Sequence, residues 1–278
     1  MTYKELYKYG VNELRSAGIE DFSFDAKQLL FTACNITSTD FLLSENNEVE
    51  AKKSELYYSF LQRRSQGEPL QYIIGMWEFL DSSFKVGKGV LIPRPETEQL
   101  TMIGINFVKK NKISVVFDLC AGTGCIGISI AKACPETKVY LLEKYFEAIE
   151  FCKKNVELNG VKNVCVIRGD IFEGLPEGAE KPQMIISNPP YIPRAELAVL
   201  QREVQYEPVT ALDGGEDGLL FYHCIAEKWL KEKAIFCAVE CGENESDAIA
   251  RIFSEFGNVN VENDVFGTDR FVCVEIKE

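Results

Sequence analysis

The tetrapeptide Asn188-Pro189-Pro190-Tyr191 sets four residue types in an order suited to one chemical task, the presentation of a planar NH₂ group to an electrophile. An amide or arylamine nitrogen delocalises its lone pair into the neighbouring π system. A catalyst must therefore hold both N–H bonds in acceptors and draw the nitrogen toward a tetrahedral shape. The Asn188 side-chain carbonyl and the Pro189 backbone carbonyl are two such acceptors. The two prolines fix φ and carry no N–H, which keeps the segment extended. Tyr191 offers a flat face to a planar amide or base. A Pro-Pro turn after an apolar strand reads the same over four residues, so the surrounding elements decide.

A second constellation opens the run from Asp118 to Gly127, Asp-Leu-Cys-Ala-Gly-Thr-Gly-Cys-Ile-Gly. Glycines after an apolar strand let the backbone approach a ligand and turn sharply into a helix. Gly122 to Gly127 satisfies G-x-G-x-x-G, which leaves a nicotinamide dinucleotide and S-adenosylmethionine as candidate cofactors. Asp118 closes the strand four residues before Gly122. A carboxylate there faces a pyrophosphate badly but suits the ammonium of a methionine moiety. Glu143, at the end of the next strand, has acceptors for both ribose hydroxyls, a role that nicotinamide enzymes share. Asp170, after the third strand, is placed for an adenine amino group, with Ile171 beside the ring. Loop and cap preferences alone also put acids at such positions.

Positioning these groups requires strands that end at one edge. From about residue 113 apolar runs alternate with helical stretches: Val115–Leu119, Val139–Leu142, Val164–Ile167, Met184–Ser187, Ile235–Val239, then Val259–Val261 and Phe271–Ile276. A helix fits Glu147–Leu158, closed by Asn159-Gly160. Repeated βα units predict a mostly parallel sheet covered on both faces, with ligands at the carboxyl ends of its strands. Residues 1 to about 70 read as helices, with Leu6, Val11 and Leu14 at near-helical spacing, a second helix about Ala26–Phe31, and a third over Ala51–Arg64 carrying Leu56, Phe60 and Leu61. Residues 70–92 are rich in Tyr, Ile, Trp, Phe and Val and broken by Gly75, Asp81 and Gly87, which predicts a β-hairpin.

Composition narrows the chemistry. The 278 residues are 46% hydrophobic and 26% charged, an ordinary globular balance. No run approaches the ~18 apolar residues of a membrane span, and the start lacks the apolar core of a signal peptide, so a cytoplasmic protein without a membrane partner is expected. The ten cysteines sit singly in apolar segments, which predicts reduced, buried thiols. No CxxC occurs and the single histidine, His223, lies in a helical stretch, so no metal site is expected. A formal charge of −13 argues against a partner held through phosphate contacts and for a protein or small-molecule substrate.

Taken together, Asp118 with Gly124, Glu143, Asp170 and Asn188–Tyr191 resemble the class I S-adenosylmethionine-dependent amino-methyltransferases. More specifically, the chain resembles the release factor glutamine methyltransferases, which modify the glutamine of the Gly-Gly-Gln motif in class I peptide release factors. Pro69 to Ile73, Gly75, Glu78-Phe79 and Val90 to Glu98, with its Ile92-Pro-Arg-Pro-Glu-Thr-Glu98, are similar to that family's linker signature. Ile192-Pro193, Glu203-Val204, Tyr206-Glu207-Pro208 and Ala211 to Leu219 follow its pattern after Tyr191. One departure stands out: Cys120 occupies a place where the family commonly has glycine.

The resemblance implies an α/β fold with a Rossmann-like seven-stranded sheet. It further implies a helical substrate-recognition domain over 1–70, a β-hairpin linker over 71–95 and a methyltransferase domain over 96–278. It assigns cofactor binding to Asp118, Cys120, Ala121, Gly122, Thr123, Gly124, Glu143, Asp170, Ile171 and Asn188. Catalysis falls to Asn188, Pro189 and Tyr191, which with Pro190 also hold the substrate. S-adenosylmethionine is the implied cofactor, S-adenosylhomocysteine the product and a class I release factor the partner, with no nucleic-acid substrate. Arg94 is a ready partner for a carboxylate, either in a substrate pocket or in a structural clamp between domains. Three other readings stay open on the sequence: methylation of an adenine amino group in nucleic acid, a nicotinamide oxidoreductase built on Gly122–Gly127, and a binding protein that keeps the fold without catalysis.

Overall fold

The computed structural model describes residues 1–232 and 234–277. They form two compact units, one of residues 1–76 together with 201–206, the other of residues 77–200 and 207 onward. The return of residues 201–206 to the first unit has no counterpart in the sequence reading.

The first unit is helical: α1 (Tyr3–Ser16), α2 (Phe22–Cys34), α3 (Ser38–Ser44), α4 (Ala51–Ser65) and α5 (Leu70–Ile74). Thr2 and Glu5 form a reciprocal capping box at the start of α1, and Thr37 with Asp40 does the same for α3. The buried stripe of α1 is Leu6, Gly10 and Leu14, and that of α4 is Tyr57, Leu61 and Arg64. Leu56 is instead 43% exposed. The reason is Tyr57, whose ring lies against Gly10, where a Cβ would collide with it, and whose hydroxyl donates to the Ala26 carbonyl at 3.1 Å. Part of the expected hairpin is also helical. Pro69 and a left-handed Gly75 delimit α5, which buries Leu70, Tyr72 and Ile73, so terminal chemistry and burial override the strand preference of Tyr and Ile.

Arg64 organises this unit. It is 5% exposed, donates to Asp25 at 2.6 Å, to Glu203 at 2.5 Å and to the Glu68 carbonyl at 3.2 Å. Burial pushes the Asp25 carboxyl up, and the hydrogen bond and charge of Arg64 oppose that rise.

The second unit begins at the hairpin β1 (Met76–Phe79) and β2 (Ser82–Lys85), followed by α6 (Pro95–Asn111). Then come β3 (Val115–Leu119), α7 (Cys125–Ala133), β4 (Lys138–Glu143), α8 (Phe146–Asn159), β5 (Val164–Arg168) and β6 (Met184–Ser187). The chain closes with α9 (Leu220–Cys224), β7 (Phe236–Glu240), α10 (Ser246–Ser254), β8 (Gly257–Asn263) and β9 (Asp269–Ile276). The seven-stranded sheet has the order β5-β4-β3-β6-β7-β9-β8, parallel from β5 to β7, with β9 antiparallel to both its neighbours. The strand runs expected from sequence are therefore all present.

Alternate residues of each strand feed two cores. Val116, Leu141, Ile186 and Ala238 face one, with α6 and α7 contributing Leu100, Ile105, Ile126 and Ile130. Phe117, Leu142, Ile185 and Val239 face the other, with Tyr222, Trp229 and Phe253. Strand order departs outward from β3 to β4 and β5, then reverses to β6 on the other side of β3. A crevice opens at such a switch point, outside the carboxyl ends of the strands. Among the described residues no helix is long and apolar enough to cross a membrane.

Arg64→Met leaves Asp25 buried without its cation and is expected to cost about 3–5 kcal/mol of the stability of the first unit. Urea unfolding followed by far-ultraviolet circular dichroism reads this, and the double variant Arg64→Met/Asp25→Leu recovers part of the loss. A single variant as stable as the parent contradicts the assignment.

Candidate active site

The glycine-rich turn joins β3 to α7 through three residues at positive φ, Cys120 (59°), Gly122 (56°) and Gly124 (80°). Glycine adopts this conformation freely, whereas another residue pays about 1–2 kcal/mol for it. This is the physical meaning of the departure at Cys120. Asp118 fixes the turn from below: it is fully buried and its Oδ2 accepts from the Gly127 N–H at 2.9 Å. Gly127 has no Cβ because one would collide with Leu141 and crowd the Asp118 carboxylate.

Glu143 grips the same turn from β4. One oxygen accepts from the Gly122 N–H at 2.9 Å, the other from the N–H groups of Lys144 (2.8 Å) and Tyr145 (2.9 Å). A carboxylate has about four acceptor sites, so these three backbone N–H groups leave one for a ligand. Asp170 caps the short turn Ile171–Glu173 through the Phe172 N–H at 3.1 Å and pairs with Lys144 at 2.7 Å. Burial raises its carboxyl, but Lys144 and the Phe172 N–H outweigh this and hold it below the usual carboxylate range. The Ile171 carbonyl accepts from the Trp229 indole at 2.9 Å, which fixes Ile171 under the turn.

These elements enclose an open cleft with about 730 Å³ of empty space including its mouth, a size suited to a small-molecule ligand. Of the residues expected from sequence, Cys120, Gly122, Glu143, Asp170, Ile171, Asn188 and Pro190 line it. Asp118, Ala121, Thr123, Gly124, Pro189 and Tyr191 are not among its lining residues. Val90, Leu91, Pro208 and Ala211 line it too, from the stretches that resemble the family's pattern, and so do Gly89, Lys144, Tyr145, Thr210 and Phe221, which belong to no motif in the sequence.

Asn188 follows β6 directly at the switch point. Its Nδ2 donates to Thr97 Oγ1 at 3.0 Å, and the Thr97 hydroxyl donates to Glu240 Oε2 at 2.7 Å. Among the described residues, Asn188 Oδ1 and Asp118 Oδ1 are buried and have no hydrogen-bond partner. Buried polar atoms are nearly always paired, so two orphaned oxygens on one edge of the sheet point to ligand groups that pair with them. Burial pushes Asp118 up to about 8 and Glu240 up to about 7.

The backbone at Tyr191 explains the glycines at 214 and 218. Ile192 and Gly214 exchange backbone bonds with Leu212 and Ile192, each at 2.9 Å. A Cβ on Gly214 or Gly218 would strike the Tyr191 backbone. Arg94 pairs with Glu207 at 2.5 Å, and Glu207 also accepts from the Ile92 N–H at 2.8 Å. Glu207 is 4% exposed, so the carboxylate partner of Arg94 in this structure is internal, and the pair lies within the second unit rather than between domains.

At Cys120 the left-handed backbone sets an order of stabilities. Cys120→Gly is expected to stay within about 1 kcal/mol of the parent, because relief of the backbone is offset by unfolded-chain entropy. Cys120→Val is expected to melt lower because β-branched residues adopt positive φ poorly. A valine variant with an unchanged thermal midpoint contradicts this account.

The chain is similar to known families and proteins over most of its length. Residues 5–75 match the PrmC N-terminal domain family and residues 99–215 the methyltransferase small domain family. A release factor glutamine methyltransferase of Thermodesulfovibrio yellowstonii is 37% identical over 267 residues, covering 92% of this chain and 95% of that protein. One from Aquifex aeolicus is 33% identical over 276 residues, covering 98% and 97%. Among solved structures, the hMettl16 catalytic domain in complex with MAT2A 3′UTR hairpin 1 superposes with a TM-score of 0.57 at 13% identity, covering 90% of this chain and 92% of that one. The Thermus thermophilus 16S rRNA N2 G1207 methyltransferase, in complex with AdoMet and guanosine, gives 0.50 at 15% identity, covering 73% and 50%. At such identities the likeness is one of fold, the class I methyltransferase fold. The near full-length relatives carry the assignment further: this chain belongs to the release factor glutamine methyltransferase family.

Proposed function

We propose that this enzyme transfers a methyl group from S-adenosylmethionine to the side-chain amide nitrogen of the glutamine in the Gly-Gly-Gln motif of class I release factors, yielding S-adenosylhomocysteine. The observation that carries this reading is Asn188 Oδ1, a buried acceptor without a donor at the carboxyl end of β6. S-adenosylmethionine supplies a methyl group already activated on a cationic sulfur.

Asp118, Cys120–Gly124, Glu143, Asp170, Ile171 and Asn188 hold the cofactor in this proposal. The unpaired Asp118 oxygen and the free acceptor site of Glu143 suit an ammonium and a ribose hydroxyl. Asn188 Oδ1 and the Pro189 carbonyl accept the two amide N–H bonds, and Tyr191 packs against the amide plane. Catalysis is then positioning and electrostatics. Tyr191 is no base, since burial pushes its phenol above its ordinary range. The amide proton becomes acidic as the nitrogen is alkylated and leaves to solvent. The helical first unit contributes recognition of the protein substrate, and a release-factor substrate puts the enzyme in the cytoplasm.

Mass spectrometry of a release factor incubated with enzyme and S-adenosylmethionine is expected to show one added methyl on the Gly-Gly-Gln glutamine and none on a factor carrying alanine there. Asn188→Ala is expected to lose about 10²–10³ in turnover, about 2.7–4 kcal/mol, as when one preorganised polar contact to the transition state is removed, with a smaller effect on cofactor affinity. Label appearing in RNA or DNA while the factor stays unmodified overturns the reading.

Cofactor binding should also move a proton. With its carboxyl near 8, Asp118 is mostly protonated at pH 7 in the free enzyme. A cationic ligand beside Oδ1 favours the ionised form, so binding releases up to about one proton. Calorimetry at pH 7 in buffers of different ionisation enthalpy measures this. Release is expected in the parent and absent in Asp118→Asn; equal heats in all buffers for the parent contradict it.

A further inference from the structure

Asn188 performs its task only if its carboxamide stands one way round. The two ends of the group are nearly equal in size, so packing distinguishes them poorly and hydrogen bonds must choose. The choice is made by Thr97, in the first turn of α6. Its hydroxyl has a single proton, and that proton is given to Glu240 Oε2 at 2.7 Å. Thr97 Oγ1 is left as an acceptor toward Asn188, which must then present Nδ2, the 3.0 Å bond that the structure shows. Oδ1 is thereby turned to the opposite side, where it is buried and unpaired among the described residues.

Topology brings the three together. Ser187 of β6 is in register with Val239 of β7, so Asn188 and Glu240 stand one step beyond, side by side on neighbouring strands. They share the strand face of Ile186 and Ala238, the face that packs against α6. Thr97 is 2% exposed and Glu240 1% exposed. An ionisable carboxyl so deeply buried is costly, and the packing of the strand alone gives no reason for it.

We infer that Thr97 and Glu240 are positioning residues that set the orientation of the Asn188 carboxamide and so aim its carbonyl oxygen at the substrate NH₂ group. The inference rests on the proposed role of Asn188 and deepens it. Neither residue touches the reacting atoms; both act through Asn188. Thr97→Val removes the acceptor at nearly constant volume and lets the carboxamide turn. Thr97→Ser keeps the hydroxyl. Glu240→Leu frees the Thr97 proton to face Asn188, which then favours the opposite orientation.

Two readouts test this. In ¹⁵N-labelled enzyme without substrate, the Asn188 side-chain NH₂ signals are those missing from Asn188→Ala. They are expected to exchange slowly with water in the parent and in Thr97→Ser, and to lose protection in Thr97→Val. In steady-state methylation, Thr97→Val and Glu240→Leu are each expected to lower kcat about 10- to 100-fold, the effect of removing a partner that orients a contact residue, with KM for cofactor and factor within about threefold. Thr97→Ser retains most of the parent rate. Because the two residues act as one chain, the double variant is expected to be no slower than the slower single variant. Unprotected Asn188 signals in the parent, losses that fall on KM, or a serine variant as slow as valine overturn the inference. Failure of the parent to methylate glutamine overturns the proposed function instead, and the amide signals still decide the orientation.

Discussion

A buried carbonyl oxygen without a donor costs stability that no packing contact returns, and Asn188 Oδ1 is such an atom at the crevice of the sheet. Most of the second unit can be understood as the structure needed to keep it there. β6 delivers Asn188 to the carboxyl edge beside β3. Pro189 and Pro190 prevent the following backbone from folding back to satisfy the oxygen. Ser187 ties the end of β6 to the Leu119 carbonyl at 2.6 Å. The glycine loop after Leu212 closes against the Tyr191 backbone, with no Cβ in the way. A water-accessible loop could present the same carbonyl group, but water would then compete for it and the group would reorganise during reaction.

The same economy governs the cofactor side. Asp118 and Glu143 are buried carboxyls whose protein-side bonds go to backbone N–H groups, those of Gly122 and Gly127 at the glycine-rich turn and those of Lys144 and Tyr145 after β4. They shape that turn before any ligand arrives. Asp118 Oδ1 is left without a protein partner among the described residues, and Asp118, pushed up to about 8 by burial, gains from a cation. In the proposed function one pair of side chains thus builds the turn and reads the ligand. This explains why an acid must close β3 and another β4, where apolar residues would pack with less cost.

How much of this was visible in the chain depends on sequence distance. The parallel strands were legible because each is a short apolar run ended by a turn, and Asn188–Tyr191 and Gly122–Gly127 were legible because their atoms act within a few residues of one another. Leu70–Ile74 misled because its residue types favour strands, while the deciding features, Pro69 before it and a left-handed Gly75 after it, act at its ends. Leu56 and Tyr57 exchanged roles because the partner of Tyr57, Gly10, lies on another helix. Thr97 stood in the Ile92–Glu98 stretch without a role, and Glu240 left no local trace: 143 residues separate them, and a charge closing an apolar strand looks like the start of a loop. The pair of Arg94 and Glu207 spans 113 residues: the sequence offered Arg94 to a carboxylate without naming which. Side chains that meet only through strand register belong to the fold, and a reading by neighbours along the chain passes over them.

The most direct test of the central claim is a crystal structure of the enzyme with S-adenosylhomocysteine and a class I release factor. The account predicts the glutamine amide nitrogen within hydrogen-bond distance of both Asn188 Oδ1 and the Pro189 carbonyl, with Asn188 Nδ2 still on Thr97. A glutamine amide lodged elsewhere, or an Asn188 oxygen engaged by a protein group in the complex, would contradict it.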